Sequence, residues 1–225
     1  MKRILVATST TEYATANYLI TALRRKGMEV FVYSDVSGSG ANQKGSGFFS
    51  GTQLLNSISF DPDLFLFVEG GTQRLFPYDL EKLRCLTAWY GLDTHMDYAK
   101  HLKISRGFDV TFLAHKEYVD RFMQDGIRQV FWLPVGVAPE LYPQTTPSEK
   151  LYDIAYVGGM DGRHNPERMA LIDAIRERFA ERKLFFGPAD PEEMIRIYSQ
   201  TRIVFNKAIN NDNIMRVFKG GAAGA

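Results

Sequence analysis

The chain has almost no cysteine and almost no net charge. Its 225 residues include one cysteine, Cys85, which excludes an internal disulfide and indicates a reducing compartment. The 27 Lys and Arg residues nearly balance the 26 Asp and Glu residues, so the formal net charge is +1. This balance gives no support to a protein held by bulk charge on nucleic acid or on an anionic membrane. Any anion-binding site must therefore come from local geometry.

A long hydrophobic run is also missing. No segment approaches the roughly 20 apolar residues that a membrane-spanning helix needs. The apolar run that begins at Ile4 is too short for a signal peptide and is followed at once by polar residues, so it indicates a first strand. The hydrophobic fraction of 45% and the charged fraction of 24% are ordinary for a globular domain and exclude a disordered chain. We expect a cytoplasmic protein.

Short apolar runs alternate with helical patterns along the whole chain. Strands are predicted at residues 4–8, 28–34, 63–68, 85–90, 110–114, 129–133, 153–157, 184–186 and 202–206. Nearly continuous apolar strands are typical of a parallel sheet covered on both faces, so the predicted class is α/β. Ligands of such sheets bind beyond the carboxyl ends of the strands. This rule directs attention to residues 9–11, 70–71 and 90–97, and to His115.

A polar segment with two prolines, residues 143–150, separates two such patterns. We predict a first domain over residues 1–142, a linker over 143–150 and a second domain over 151–225. The second pattern contains three predicted strands, whereas doubly wound domains usually have five or six. The sequence therefore predicts an incomplete second domain.

The densest group of polar side chains follows the predicted strand 85–90. Asp93, His95 and Asp97 alternate, so in an extended segment all three point the same way. A carboxylate next to an imidazole orients it and raises its basicity, as a general base requires. The same spacing is compatible with a divalent metal, and the alternative is a helix-capping aspartate with a surface histidine. Because the group lies at a carboxyl edge, we favour a functional role.

Two segments of the second half combine small or amide residues with a predicted helix start. A glycine pair at 158–159 follows a strand and precedes Arg163, and Asn206 is followed by Asn213 and Arg216. Amides at a helix start and an arginine are groups that bind phosphate. Two such arrangements on one sheet edge indicate a nucleoside diphosphate rather than a single phosphate.

Seven segments occur in a familiar order: 89–95 (WYGLDTH), 107–112 (GFDVTF), 132–134 (WLP), 153–158 (DIAYVG), 197–200 (IYSQ), 202–206 (RIVFN) and 213–218 (NIMRVF). In this order they resemble GT-B glycosyltransferases of the spore-maturation-protein type, and the resemblance covers nearly all of the chain. It implies two Rossmann-like domains. The first would hold an acceptor, and the second, of the "glycosyl transferases group 1" kind, would bind the donor.

The resemblance implies transfer of a hexose-like sugar from a nucleoside-diphosphate sugar to an acceptor. It implies catalytic roles for Asp93 and His95, which would face the donor across a cleft. The implied donor-binding residues are Gly158, Gly159, Arg163, Arg168, Asn206, Asn213 and Arg216. The resemblance implies no cofactor and no metal, because helix-start amides and basic side chains neutralise the leaving diphosphate.

Lys219 stands where the family pattern has a glutamate that is expected to bind the donor ribose. A lysine ammonium cannot accept hydrogen bonds from hydroxyl groups. One alternative function is therefore a non-catalytic nucleotide- or sugar-binding module, truncated or degenerate. Another is a metal-dependent hydrolase that uses Asp93, His95 and Asp97. The sequence does not decide the donor, the acceptor, the stereochemical outcome or the oligomeric state.

Overall fold

The computed structural model describes residues 2–9, 14–35, 40–70, 74–142, 149–163, 165–208 and 215–225. The chain divides into two compact units, Met1–Gly136 and Val137–Ala225. Each unit contains a parallel sheet with helices, so the predicted α/β class is confirmed. The predicted linker falls largely outside the described residues, and its boundaries stay a prediction.

A seven-stranded parallel sheet forms the centre of the first unit. In chain order the elements are β1 (Arg3–Thr8), α1 (Thr15–Arg25), β2 (Glu29–Ser34), β3 (Gln43–Lys44), β4 (Gly47–Ser50), α2 (Gly51–Ser57), β5 (Leu64–Val68), β6 (Leu75–Tyr78), β7 (Leu86–Gly91), α3 (Tyr98–Ser105), β8 (Val110–Leu113), α4 (Val119–Gln124) and β9 (Val130–Trp132). The order in the sheet is β3-β2-β1-β5-β7-β8-β9, and β4 and β6 form a separate parallel pair.

The strands of this sheet are apolar on both sides because both faces are covered. In β1, Leu5 and Ala7 pack into one core, and Ile4 and Val6 pack into the other. Each of these side chains is at most 5% exposed. Strands buried in this way lack the alternating pattern of half-exposed strands, which is why the sequence shows them as continuous apolar runs.

The strand order reverses between β1 and β5, where doubly wound sheets bind ligands. At this point the backbone after β5 passes very close to the backbone after β1. A Cβ atom on Gly70 would overlap the carbonyl oxygen of Ser9, so a glycine is needed there. On the other side of β5 lie β7 and then β8, so the carboxyl ends of these three strands are neighbours.

The second unit has a three-stranded parallel sheet in the order β11-β10-β12. Its elements are β10 (Tyr152–Val157), α5 (Pro166–Arg178), β11 (Leu184–Gly187), α6 (Pro191–Ser199), β12 (Thr201–Val204) and α7 (Met215–Ala222). The side chain of Asn165 caps α5 and that of Asp190 caps α6, and each helix has proline at its first position. In the described ranges, no helix combines the length and apolarity needed to cross a bilayer.

Candidate functional site

Polar side chains follow three neighbouring strands at the carboxyl edge of the first sheet. Glu69 comes directly after β5, Asp93 and His95 follow β7, and His115 follows β8. The Nδ1 atom of His95 lies 3.3 Å from the Nε2 atom of His115. Asp93, His95 and His115 each offer one ligand atom, and these atoms all lie within 4.8 Å of one another. The structure thus brings the two predicted catalytic residues together and adds His115.

Glu69 holds the loop after β7 from the neighbouring strand. Its Oε2 atom accepts hydrogen bonds from the amides of Leu92 at 2.6 Å and Asp93 at 3.1 Å. Its Oε1 atom lies 2.9 Å from Nε2 of the buried His101. Burial alone would raise the pKa of Glu69, but His101 and the two amides outweigh it and lower this pKa below its ordinary value. Glu69 therefore acts as a carboxylate that positions the loop.

The segment after β7 is a turn rather than an extended chain. The amide of Met96 donates to the carbonyl of Asp93 at 2.9 Å. The side chain of Asp97 accepts from the amide of Lys100 at 3.0 Å and so caps α3. The expected alternation of Asp93, His95 and Asp97 on one side is therefore wrong. Asp97 is a capping residue, and His115 is the third member of the cluster.

The two histidines differ in burial. His115 is 7% exposed, whereas His95 is half-buried and Asp93 is exposed. Burial, and then the proximity of His115, lower the pKa of His95 below its ordinary value. At neutral pH this imidazole is therefore neutral, which is the form that accepts a proton or ligates a metal. The cluster can act as a base or as a set of metal ligands.

An apolar cavity of about 300 Å³ lies next to Glu69 in the same unit. Aromatic side chains form much of its wall: Phe48, Phe67, Phe76, Trp89 and Phe108. Glu69, Glu81 and Lys100 add charged groups. A concave, mainly apolar wall with a few polar groups is typical of a small-molecule site. The cavity is a candidate small-molecule site beside the loop that carries Asp93 and His95.

Two arginines meet on a buried tyrosine at the carboxyl edge of the second sheet. The ring centroid of Tyr156, in β10, lies 4.3 Å from the guanidinium carbon of Arg216 and 5.5 Å from that of Arg168. Nη1 of Arg168 donates to the Tyr156 hydroxyl at 2.7 Å. Arg216, on α7, donates to the side-chain oxygen of Asn206 at 3.0 Å and to the carbonyl of Val157 at 3.3 Å. An aromatic ring and neutral oxygens thus position both guanidinium groups.

No carboxylate in the described ranges forms an ion pair with Arg168 or Arg216. The buried Nε atom of Arg168 also has no hydrogen-bond partner within those ranges. Lys219 lies three residues after Arg216, and its pKa is lowered, first by burial and then by the charge of Arg216. Cations that neutral groups hold in place are well suited to bind a phosphate or diphosphate.

The backbone at Gly158 passes directly beside these side chains. A Cβ atom there would lie 2.7 Å from the Tyr156 hydroxyl and 3.0 Å from Nη2 of Arg216. A Cβ atom on Gly159 would meet no other described atom within 4 Å. Of the predicted glycine pair, Gly158 is therefore the residue whose lack of a side chain makes room for the arginine.

Two of the predicted donor-binding residues are not part of this cluster as described. The guanidinium of Arg163 is paired with the carboxylate of Asp161 at 2.7 Å, and its side chain is 87% exposed. Asn213 lies outside the described residues. The carbonyl of Gly159 accepts a hydrogen bond from the Tyr156 hydroxyl at 3.3 Å. The cluster thus brings together five of the seven residues predicted from the sequence: Gly158, Gly159, Arg168, Asn206 and Arg216.

The sequence reasoning missed Glu69 and Tyr156. A carboxylate directly after a buried strand was an available signal for Glu69, because that position is at the sheet edge. Tyr156 gave no signal, because an aromatic residue in an apolar strand is expected in the core.

No model of a known protein family matches the chain, and no curated protein matches it. The functional conclusion therefore depends on the site chemistry.

Proposed function

We propose that the chain is a glycosyltransferase of the GT-B type that uses a nucleoside-diphosphate sugar as its donor. The observation that carries the proposal is the pair Arg168 and Arg216, which share Tyr156 and have no acidic partner among the described residues. A diphosphate has the charge and the oxygen pairs that such guanidinium groups bind. During sugar transfer the leaving diphosphate gains negative charge, so the same cations stabilise the transition state more than the bound donor.

We assign acceptor activation to the first unit. The neutral imidazole of His95, next to Asp93, can take the proton of an acceptor hydroxyl if the reaction inverts the sugar. If the reaction retains the configuration, the two side chains steady the acceptor and the developing positive charge. The aromatic cavity beside Glu69 suits a ring-containing acceptor, since flat apolar faces stack on aromatic side chains.

The finer fold assignment belongs to the same proposal. It comprises two Rossmann-like domains in the GT-B manner. Its support is the doubly wound strand order of the first unit and the parallel αβ order of the second. The ordered sequence segments that resemble this family add to that support.

Calorimetric titration of the full chain with UDP, GDP and their sugars tests donor binding, and release of the nucleoside diphosphate tests turnover. We expect one of the two nucleotides to bind at a single site. Asp93→Asn and His95→Gln are expected to lower kcat by about 100-fold, within the usual range for a lost general base, while donor affinity is kept. If both variants turn over as the wild type does, the catalytic assignment is wrong.

A non-catalytic nucleotide-binding module is the second candidate, and the burial of Lys219 beside Arg216 favours it. In the family that the sequence resembles, this position carries a carboxylate for the donor ribose. Saturable nucleotide binding without release of product, over a panel of UDP- and GDP-sugars and acceptors, would support the module. Turnover by this chain would eliminate it.

A further inference from the structure

We propose that Asp93, His95 and His115 form a binding site for a divalent transition metal of the zinc class. Two imidazoles and one carboxylate are the donor set that such borderline ions prefer over calcium or magnesium. Within the described residues they are the one group of three histidine, cysteine or acidic side chains placed to hold a metal ion. The inference concerns the first unit alone and does not depend on glycosyl transfer.

The spacing of the two imidazoles fits tetrahedral coordination. Zinc binds histidine nitrogen at about 2.0–2.1 Å, and two such nitrogens at the tetrahedral angle are separated by about 3.3–3.4 Å. The Nδ1 atom of His95 and the Nε2 atom of His115 are 3.3 Å apart. Both nitrogens are therefore already at the separation of two ligands of one ion. The third ligand, Asp93, is on an exposed side chain, which can rotate to complete the set.

A carboxylate lies near the outer nitrogen of His115, at ion-pair rather than hydrogen-bond distance. The Oε1 atom of Glu117 lies 3.7 Å from Nδ1 of His115. A carboxylate near the outer nitrogen of a histidine ligand favours the tautomer in which the inner nitrogen coordinates the metal. The ring of Tyr118 packs edge-on against His115, with their centroids 6.1 Å apart. The nitrogen of His115 that faces His95 is Nε2.

The loop that carries the other two ligands is held in place without a metal. Glu69 binds the amide of Asp93, and the turn that joins Asp93 to Met96 brings His95 next to His115. Since three protein ligands leave one tetrahedral position open, the site has the composition of a catalytic rather than a structural zinc site. That position would hold a water or a substrate hydroxyl and lower its pKa.

A hydrogen-bonded pair of neutral imidazoles is the competing explanation for the 3.3 Å contact. Such a pair needs neither Asp93 nor Glu117 and binds no ion.

The experiment therefore measures metal binding directly. The full chain is stripped with a chelator and titrated calorimetrically with Zn²⁺, with Mg²⁺ in a parallel titration, and with Co²⁺ while the visible spectrum is recorded. We expect one Zn²⁺ to bind per chain and no saturable binding of Mg²⁺. Bound Co²⁺ should give the visible absorption bands of a site with a low coordination number, and added Zn²⁺ should abolish these bands.

Variants assign the ligands. His95→Gln and His115→Gln are each expected to weaken Zn²⁺ binding by at least ~100-fold, and Glu117→Gln by about 10-fold, following the usual sizes of ligand and outer-shell effects. Asp97→Asn is the matched control. Asp97 belongs to the same sequence pattern as Asp93 and His95 but caps α3, so Asp97→Asn should bind Zn²⁺ as tightly as the wild type does. Cys85→Ser should also keep full affinity and so exclude binding at the lone thiol.

His95 is half-buried, so His95→Gln tests the proposal even if the buried His115→Gln fails to fold. Circular dichroism of the metal-free variant checks that it is folded. The proposal is overturned if the wild type binds no Zn²⁺ saturably, or if folded His95→Gln binds it as tightly as the wild type. Because the readout is metal binding and not turnover, a failure here leaves the glycosyltransferase proposal standing, and the reverse also holds.

Discussion

The two units place polar side chains at equivalent edges of their sheets but equip them with opposite chemistry. At the first edge, imidazoles and carboxylates meet, and His101 and two backbone amides hold the Glu69 carboxylate. At the second, two guanidinium groups share one tyrosine ring without an acidic partner in the described ranges. Parallel strand order thus decides where polar side chains collect, and the residues after each strand decide whether that edge carries imidazole and carboxylate groups or guanidinium groups.

The supports of the two sites also differ. The first site is positioned by a carboxylate buried between strands, in a sheet that is covered on both faces. The second sheet is more open, and Ile203 in its edge strand β12 is 60% exposed. Its arginines are positioned by contacts among side chains rather than by a deep core. Loss of Glu69 should therefore destabilise the first unit, whereas substitutions at the second site should displace its side chains without unfolding the chain.

The largest effect is expected from Glu69→Ala. This change leaves His101 buried without its acidic partner and frees the loop after β7. Removing one member of a buried pair costs about 3 kcal/mol of unfolding free energy. Both tryptophans, Trp89 and Trp132, belong to the first unit, so urea unfolding followed by tryptophan fluorescence measures this change.

Glu117→Ala is the matched control for that experiment. Its carboxylate is 46% exposed and 3.7 Å from His115, so its loss should cost less than about 0.5 kcal/mol. Nucleotide affinity should be unchanged in folded Glu69→Ala. Equal destabilisation by the two substitutions would show that Glu69 does not anchor the loop.

Arg216→Ala should weaken nucleoside-diphosphate binding without unfolding the chain. Hydrogen bonds to charged groups contribute about 1.5–3 kcal/mol, which corresponds to a loss of roughly 10- to 100-fold in affinity. Arg163→Ala is the control, because that guanidinium is exposed and paired with Asp161. Calorimetric titration with UDP and GDP compares the two variants. An equal loss of nucleotide affinity in both variants would show that the positioned Arg216 contributes no more to binding than the exposed Arg163.

Gly158→Ala should have a smaller effect on the same binding. The new methyl group would push against the Tyr156 hydroxyl and the Arg216 guanidinium. Shifts of this kind cost about 1 kcal/mol, or roughly fivefold in affinity. Gly159→Ala, which has free space around its Cβ among the described atoms, is expected to bind as the wild type does. Weaker nucleotide binding by Gly159→Ala, together with unchanged binding by Gly158→Ala, would contradict the described geometry.

The smallest effect concerns Lys219→Met. Burial, and then Arg216, lower the pKa of Lys219 from its ordinary value of 10.5. A protonated lysine is therefore less favourable in the folded chain than in the unfolded chain, and this cost disappears as the pH rises towards 10.5. The variant should be more stable than the wild type at pH 7, by about 1 kcal/mol, and the difference should shrink at pH 10.

Urea unfolding followed by circular dichroism at both pH values measures this difference. Tryptophan fluorescence in the same samples reports the first unit, which should not change. A stability difference that is the same at pH 7 and pH 10 would rule out the protonation of Lys219 as its cause.

Most long elements could be predicted because their sequence pattern is strong. Except for the two-residue β3, the strands of both sheets agree with the predicted apolar runs to within a residue or two at each end. The short pair β4 and β6 and the six-residue α4 were not predicted, since so few residues carry little periodic signal. Asp93 and His95 could be found because they follow a strand, but the turn that separates Asp97 from them depends on the cap of α3.

Local composition determined the α/β class, the position of both polar edges and the identity of their main residues, because buried parallel strands leave a continuous apolar pattern. Only the tertiary structure decided which residues meet. His115 joins Asp93 and His95 because β7 and β8 are neighbours, and Glu69 reaches their loop because β5 lies beside β7. Arg168 and Arg216 meet because α5 and α7 both begin beside the end of β10. Such contacts join residues far apart in the chain, and no local pattern encodes them.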